Sequence, residues 1–458
     1  MSGSKSPKLG KKGDRQDSML DLARLAQQMQ GISQHLAQEA EAAQGRVRLA
    51  RRWLTTAAQN QETWVAHQRD FADHLAFTAA LPVEPLTTRV SLDAAPAAHT
   101  VLATDGSQIS PSHHEIAYCY LINVGRVVLH YGQGRFPLLD SLPEVIYRPE
   151  DLYQSRPWGI GTEEWMGHRR TVAEAVALAE LGAMLAEGDG GISPQPGTPS
   201  EELDTSSEMP TLSMTASPEI SKNSAPVDLP SPVTDLPSPV LAMADGSLIY
   251  WFLDGLPAEA RDHILTPILA AWDRLRRLGI PIVSYLSATR SSEGLNFLRL
   301  PACPFPQPHC GQHCNGQSEK APCGGFMPLR DAVFWATELE PGQRSPFWRS
   351  SASILELYGD QRIYFCYLHV GVEVARVEMP EWVVADAAQC DMALRLVLAQ
   401  VQKGYGYPVA LAEAHNQAVV RGGDRQRFFA LLEREMVRAG LKNIGISAKE
   451  ARKRGSIA

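Results

Sequence analysis

Two apolar runs in this chain of 458 residues end in the same three residues: HTVLATD leads into Asp105-Gly106-Ser107, and VLAMAD leads into Asp245-Gly246-Ser247. The second run continues into the helical pattern AEARDHILTPILAAWDRLRRLG and then into the apolar run IPIVSYLSA, a strand, helix, strand order. Such a crossover is what an α/β sheet is built from, so this segment constrains the fold more than any other. Asp-Gly is ordinary turn chemistry, because glycine tolerates positive φ and aspartate bonds its own backbone. Each triplet therefore reads either as an unrelated strand-ending turn or as one carboxylate of a shared site. Two of them at the C-terminal ends of strands, where open α/β sheets place their ligands, strengthen the second reading.

The remaining pattern predicts further elements and several insertions. Residues 1–16 read as a disordered tail. Residues 17–80 read as a helical arm or coiled coil, with apolar positions at Leu22, Leu25, Met29, Ile32 and Leu36. That arm either caps the same chain or contacts a second copy or a partner. AYCYLINVGRVVLHYGQ reads as a strand and EEWMGHRRTVAEAVALAELGAMLAEG as a helix. Residues 189–239 are rich in Ser, Pro, Thr and Glu and contain DLPSPV twice, at 228–233 and 235–240. They have too little apolar surface to bury and are expected to be a disordered insertion within a domain spanning 96–458. GDQRIYFCYLHVG and EVARVEMPEWV read as strands, followed by a helical C-terminal region.

Charge narrows the partners only at the whole-protein level. A net charge of −8 excludes a surface coated in positive charge, while a local basic patch stays open. No run of about 18 apolar residues appears, and the polar N-terminus lacks a signal-peptide core, so the expectation is a cytoplasmic protein with no membrane contact.

Four short segments, in order, resemble the motifs of NurA-domain nucleases: TDGS, ADGSLI, VARVEMP and GYPVALAEAH. The resemblance runs from about residue 99 to the C-terminus and skips the insertion. It implies an RNase H-like α/β core with a mixed central sheet and flanking helices, to which the N-terminal arm is an addition. It also implies a homodimer that degrades DNA with Mn²⁺ or Mg²⁺, in partnership with a HerA-type hexameric ATPase during double-strand-break end processing. By position, Asp105 and Asp245 match the two metal-binding aspartates, His415 the histidine of the AH motif, and Tyr407 the tyrosine of YP. The family's helix glutamate matches Glu174, with Glu180 as the alternative.

These residue types suit the chemistry independently of the family. Phosphodiester hydrolysis needs hard oxygen ligands for Mg²⁺ or Mn²⁺, and two ions about 4 Å apart activate water and stabilise the leaving oxygen. Asp105, Asp245 and Glu174 supply such oxygens. His415 is either a further ligand or a group that orients or protonates a reacting oxygen, and Tyr407 either packs or contacts phosphate. His113, His114 and Glu115 cannot all face one metal from a strand and read as surface groups. The alternatives to a nuclease are an inactive scaffold or assembly protein and a small-nucleotide phosphohydrolase.

Residues 301–326 hold Cys303, Cys310, Cys314 and Cys323 with His309 and His313 interleaved. Four thiolates in a Pro/Gly-rich loop are expected to bind a structural Zn²⁺, with an iron–sulfur cluster or free thiols as alternatives. Cys119, Cys366 and Cys390 read as buried thiols. Among the basic groups, Arg169, Arg170, Arg274, Arg276 and Arg277 lie on predicted helices. Lys449, Arg452, Lys453 and Arg454 in the C-terminal tail are the expected DNA-backbone contacts.

Overall fold

A computed structural model describes residues 22–112, 117–188, 236–315, 317 and 320–440. The expected tail at 1–16, all but the last four residues of the expected insertion, His113, His114 and Glu115, and Lys449, Arg452, Lys453 and Arg454 lie outside the described residues.

In chain order the main elements are α1 (Leu22–Gln59), α2 (Gln61–Phe71), β1 (His99–Ile109), β2 (Tyr120–Tyr131), β3 (Leu138–Ile146), α3 (Thr162–Ala186), β4 (Val240–Asp245), α4 (Ala258–Arg277), β5 (Ile282–Leu286), β6 (Ile363–His369), β7 (Val374–Pro380), α5 (Ala387–Lys403), α6 (Val409–Ala418) and α7 (Gly422–Arg438). Among the described residues the strands belong to one mixed sheet of 11, whose longer members run in the order β6-β7-β5-β4-β1-β2-β3. β1, β2 and β3 are antiparallel neighbours, while β4 pairs parallel with β1 and β5 parallel with β4. Helix α3 makes the crossover from β3 to β4, and α4 the one from β4 to β5. This is the α/β architecture with a mixed sheet and flanking helices that the sequence predicts.

Strand alternation sorts the core into two layers. Leu102, Ala242 and Ile282 pack under α3 and α4 against Leu178, Ile268 and Trp272. Val101, Ala103, Met243 and Val283 pack on the other face under α5 and α6 against Leu394, Val397 and Leu411. A third cluster seats the arm, where Ala50, Leu54 and Ala57 of α1 meet Leu300, Phe326 and Trp335. The arm thus caps its own chain through its C-terminal half. Ile32 and Leu36, in the stripe expected to be apolar contact surface, are exposed. Among the described residues no helix is long and apolar enough to cross a membrane.

Candidate active site

The sheet register puts the two aspartates side by side. β1 and β4 pair in parallel up to Thr104 opposite Ala244, so Asp105 and Asp245 are the next residues on adjacent strands, and such strands lie roughly 4.8 Å apart. The two triplets nevertheless differ in conformation. β1 continues through Asp105, Gly106 and Ser107, which pair with Gly125, Val124 and Asn123 of β2, so the first triplet is not the turn that its Asp-Gly suggests. Long-range pairing with β2 overrides the local turn preference. β4 does stop at Asp245, and Gly246 has φ +79°, a left-handed conformation that favours glycine.

Glu174 reaches the aspartates from α3, on the opposite face of the sheet. Thr104 Oγ1 donates to the Glu174 carbonyl at 2.9 Å and docks the helix. A Cβ on Gly106 would overlap Glu174 Oε1 and the Arg170 side chain, so the first glycine provides close approach of a helix. Arg170 Nε sits 3.2 Å from Glu174 Oε1, one helical turn away. Burial, followed by the charges of Asp105 and Asp245, pushes the Glu174 carboxyl up to about 7 against the pull of Arg170. The three carboxylates line one cavity of about 210 Å³, together with Arg170, Ser247 and Tyr250. Glu180 does not line it: six residues along a helix advance about 9 Å and rotate the side chain well away.

From the other face, α6 brings His415 and the loop before it brings Tyr407. His415 Nδ1 lies 2.8 Å from Asp105 Oδ2, and Tyr407 Oη donates to Asp245 Oδ1 at 3.0 Å. Burial, then the neighbouring Asp245, raises the Tyr407 hydroxyl pKa, so it is held as a donor. α6 is docked at its C-terminal carbonyl, where Ala418 O accepts from Ser107 Oγ and, at 2.8 Å, from Asn123 Nδ2. Gly125, opposite Asp105 in the sheet, permits this docking, because a Cβ there would overlap the α6 backbone at Ala414 and Ala418. Gly125→Ala is therefore expected to destabilise the protein by about 1–3 kcal/mol and to lower any activity that needs His415. Strand propensity alone favours alanine, so a thermal melt at or above wild type would refute the close-approach role.

The second triplet is held by residues not singled out within VARVEMP. Glu378 Oε2 accepts from Ser247 Oγ at 2.9 Å and from Leu248 N at 2.8 Å. Glu378 is in turn bound through its other oxygen by Arg376 Nε at 2.7 Å, and Arg376 also pairs with Glu293 at 2.8 Å. All three are buried. The available sequence signal was a charged pair, Arg and Glu two apart, inside an otherwise apolar strand: period-two spacing puts both on one face, and charges at buried positions need each other.

Other predicted groups are not brought to the site. Arg274, Arg276 and Arg277 stand at the C-terminal end of α4, hence beside the start of β5 and at the opposite end of the sheet from Asp245, with Arg276 paired to Asp360. Arg169 faces Glu144 at 3.6 Å.

Asp105, Glu174 and Asp245 are hard oxygen donors of the kind that suit Mg²⁺ or Mn²⁺. As placed, their oxygens are engaged by His415, Arg170 and Tyr407, and among the described residues no group of three or more His, Cys, Asp or Glu is gathered so that it could hold a metal ion. The same holds for the cysteine loop, although Cys303, Cys310, Cys314 and Cys323 all line one cavity of about 10 Å³, near the size of a single water. His309 and His313 line the same cavity, and their rings stack on His74 of the arm and on Phe305 respectively. Cys119, Cys366 and Cys390 are buried, as expected.

A family model described as the NurA domain matches residues 99–225 and 233–420, well over half of the chain. No curated protein matches the chain. Among solved structures, the crystal structure of the NurA nuclease from Sulfolobus solfataricus is similar at 10% identity and a TM-score of 0.41, over 84% of this chain and 96% of that one.

Proposed function

The chain belongs to the NurA domain family, and from that premise we propose that it is a divalent-metal-dependent nuclease that hydrolyses phosphodiester bonds in DNA. The observation that supports this most is the convergence of Asp105, Asp245 and Glu174 on one cavity, two from adjacent parallel strands and one across Gly106. These three carboxylates would hold Mg²⁺ or Mn²⁺. A bound pair of such ions supplies a nucleophilic water at neutral pH and neutralises charge on the leaving oxygen. His415, on the exposed side of Asp105, orients that carboxylate and is placed to exchange a proton with solvent. Tyr407 restrains Asp245 through its hydroxyl, and Arg170 offsets charge at Glu174. The same family membership supports a homodimer, a HerA-type hexameric ATPase as partner, and a place in DNA end processing; the basic tail from Lys449 to Arg454 is proposed as a backbone contact.

The test is an end-labelled DNA assay, single- and double-stranded, with Mn²⁺ or Mg²⁺ and with EDTA. Metal-dependent shortening is expected. No hydrolysis of either form would leave the inactive scaffold, and cleavage confined to mononucleotides or dinucleotides would favour the small-nucleotide phosphohydrolase.

We also propose that Cys303, Cys310, Cys314 and Cys323 hold a structural Zn²⁺, because the four thiols of one loop line a single small cavity beside the arm. Elemental analysis of the purified protein should find about one zinc per chain and should lose it in Cys310→Ser/Cys314→Ser. The double variant should melt earlier, since the loop packs against Leu75 and Phe77. Iron with visible absorbance, or no metal in the wild type, would overturn the assignment.

A further inference from the structure

Next to the carboxylate cavity lies a second, more open one of about 550 Å³, within the roughly 300–1,000 Å³ range of small-ligand sites. The two share Ser247, so they meet at the second Asp-Gly-Ser turn. One wall is the segment after β5, with Thr289, Arg290 and Asn296. Phe77 and Thr78 from the arm and Trp251 also line it.

Three features of this cavity are not explained by packing. Trp251 is 43% exposed, four residues beyond Ser247, although a large aromatic ring gains by burial. Arg290 is exposed and has no ion pair with a described residue, while the deeper Arg376 is neutralised by Glu293 and Glu378. Asn296 is only 7% exposed; its Nδ2 donates to Thr78 O at 2.9 Å, but its Oδ1 has no partner. The Thr78 carbonyl sets the amide orientation, so the orphan is an acceptor. A buried acceptor without a donor is destabilising unless a ligand meets it.

We propose that this cavity is a subsite for one unpaired nucleotide adjoining the bond to be cut. The base stacks on the Trp251 indole, a small shift of the shielded Asn296 amide lets its Oδ1 accept from a base N–H group, and Arg290 meets the neighbouring backbone phosphate. Aromatic stacking with cationic support is how proteins hold single strands without reading sequence. A stacked, paired duplex cannot offer a base face to Trp251, so the subsite selects frayed or single-stranded ends. This rests on the nuclease reading, which supplies the scissile bond at Asp105 and Asp245.

The experiment measures binding of a fluorescein-labelled single-stranded oligonucleotide to the full chain by anisotropy, in Ca²⁺, with the strand recovered intact afterwards. An abasic strand of the same length is the second ligand. For the wild type, removing the bases should weaken binding about ten-fold or more. Trp251→Ala should weaken binding of the intact strand by a similar factor and bind both strands alike, and Trp251→Phe should restore most of the difference. Arg290→Gln should weaken both strands equally and flatten the salt dependence of binding. Unchanged affinity in Trp251→Ala, or the same loss for abasic and intact strands in that variant as in the wild type, overturns the proposal. Because this readout involves no hydrolysis, a chain that binds as expected but cleaves nothing would refute the nuclease reading and leave the subsite standing.

Discussion

Asp245→Asn and Asp105→Asn should each abolish metal-dependent DNA hydrolysis while leaving the protein at least as stable as the wild type. Both effects follow from the same electrostatics. Burial first, and then the charges of Asp105 and Asp245 across the shared cavity, push the Glu174 carboxyl up to about 7. Removing one charge relieves the repulsion among these carboxylates, so the melting temperature should hold or rise. Asparagine keeps the shape of the side chain and an acceptor for Tyr407 or a partner for His415. What it removes is the anionic oxygen that a hard cation requires. Loss of a single preorganised electrostatic group at a reacting centre typically costs on the order of 10²–10³ in rate, and a metal ligand should cost at least as much. Turnover of labelled DNA at saturating Mn²⁺ checks the rate, and calorimetric or fluorescence melting checks the fold. Wild-type turnover in either variant would sink the assignment of the site.

Arg376→Met should produce the largest loss of stability in the chain. The guanidinium is fully buried, pairs with Glu293 and Glu378, donates to Ser291 Oγ at 2.8 Å and lies 3.6 Å from the centre of the Phe365 ring. Methionine fills much of the volume but leaves two carboxylates in the interior without a counter-charge. Breaking a buried ionic network in this way costs about 3–5 kcal/mol, a large share of the 5–15 kcal/mol typical of a folded domain. Arg376→Lys should rescue only part of it, because one ammonium cannot make the divergent contacts of a planar fork. Glu378 also holds the Ser247 and Leu248 end of the second turn, so activity should fall in Arg376→Met even at temperatures where it stays folded. Adding Glu293→Gln and Glu378→Gln should recover much of the melting temperature but not the activity. Denaturant unfolding of the four proteins tests this. A loss below about 1 kcal/mol in Arg376→Met would show that the network is not what holds the strand.

Much of the architecture was legible in the chain. The apolar runs of β1 and β4 and the helical pattern of the α4 crossover follow from residue order, because both the pleat and the helical repeat are local geometry. The candidate aspartates were legible too, since each closes an apolar run on a strand, although only Asp245 ends its strand in the fold. The arm was legible as helix but not as contact: the apolar stripe that includes Ile32 and Leu36 stands out in the sequence, yet the residues that seat the arm are Ala50, Leu54 and Ala57. Alanines pack helices closely and give little periodic signal.

The aspartates at 105 and 245, the histidine at 415 and the tyrosine at 407 were determined by sequence alone, as residue types in a recognisable order. Only the tertiary structure decided that the two Asp-Gly-Ser triplets differ, the first being paired strand and the second a left-handed turn. It also placed Glu174, and not Glu180, in the cavity of the two aspartates, and it gave Gly106 and Gly125 their common purpose of letting α3 and α6 approach from opposite faces. Glu378 became the anchor of the second turn in the same way. The reason is physical: each of these depends on contacts between segments tens to hundreds of residues apart, which strand register and helix docking create and which no local propensity encodes.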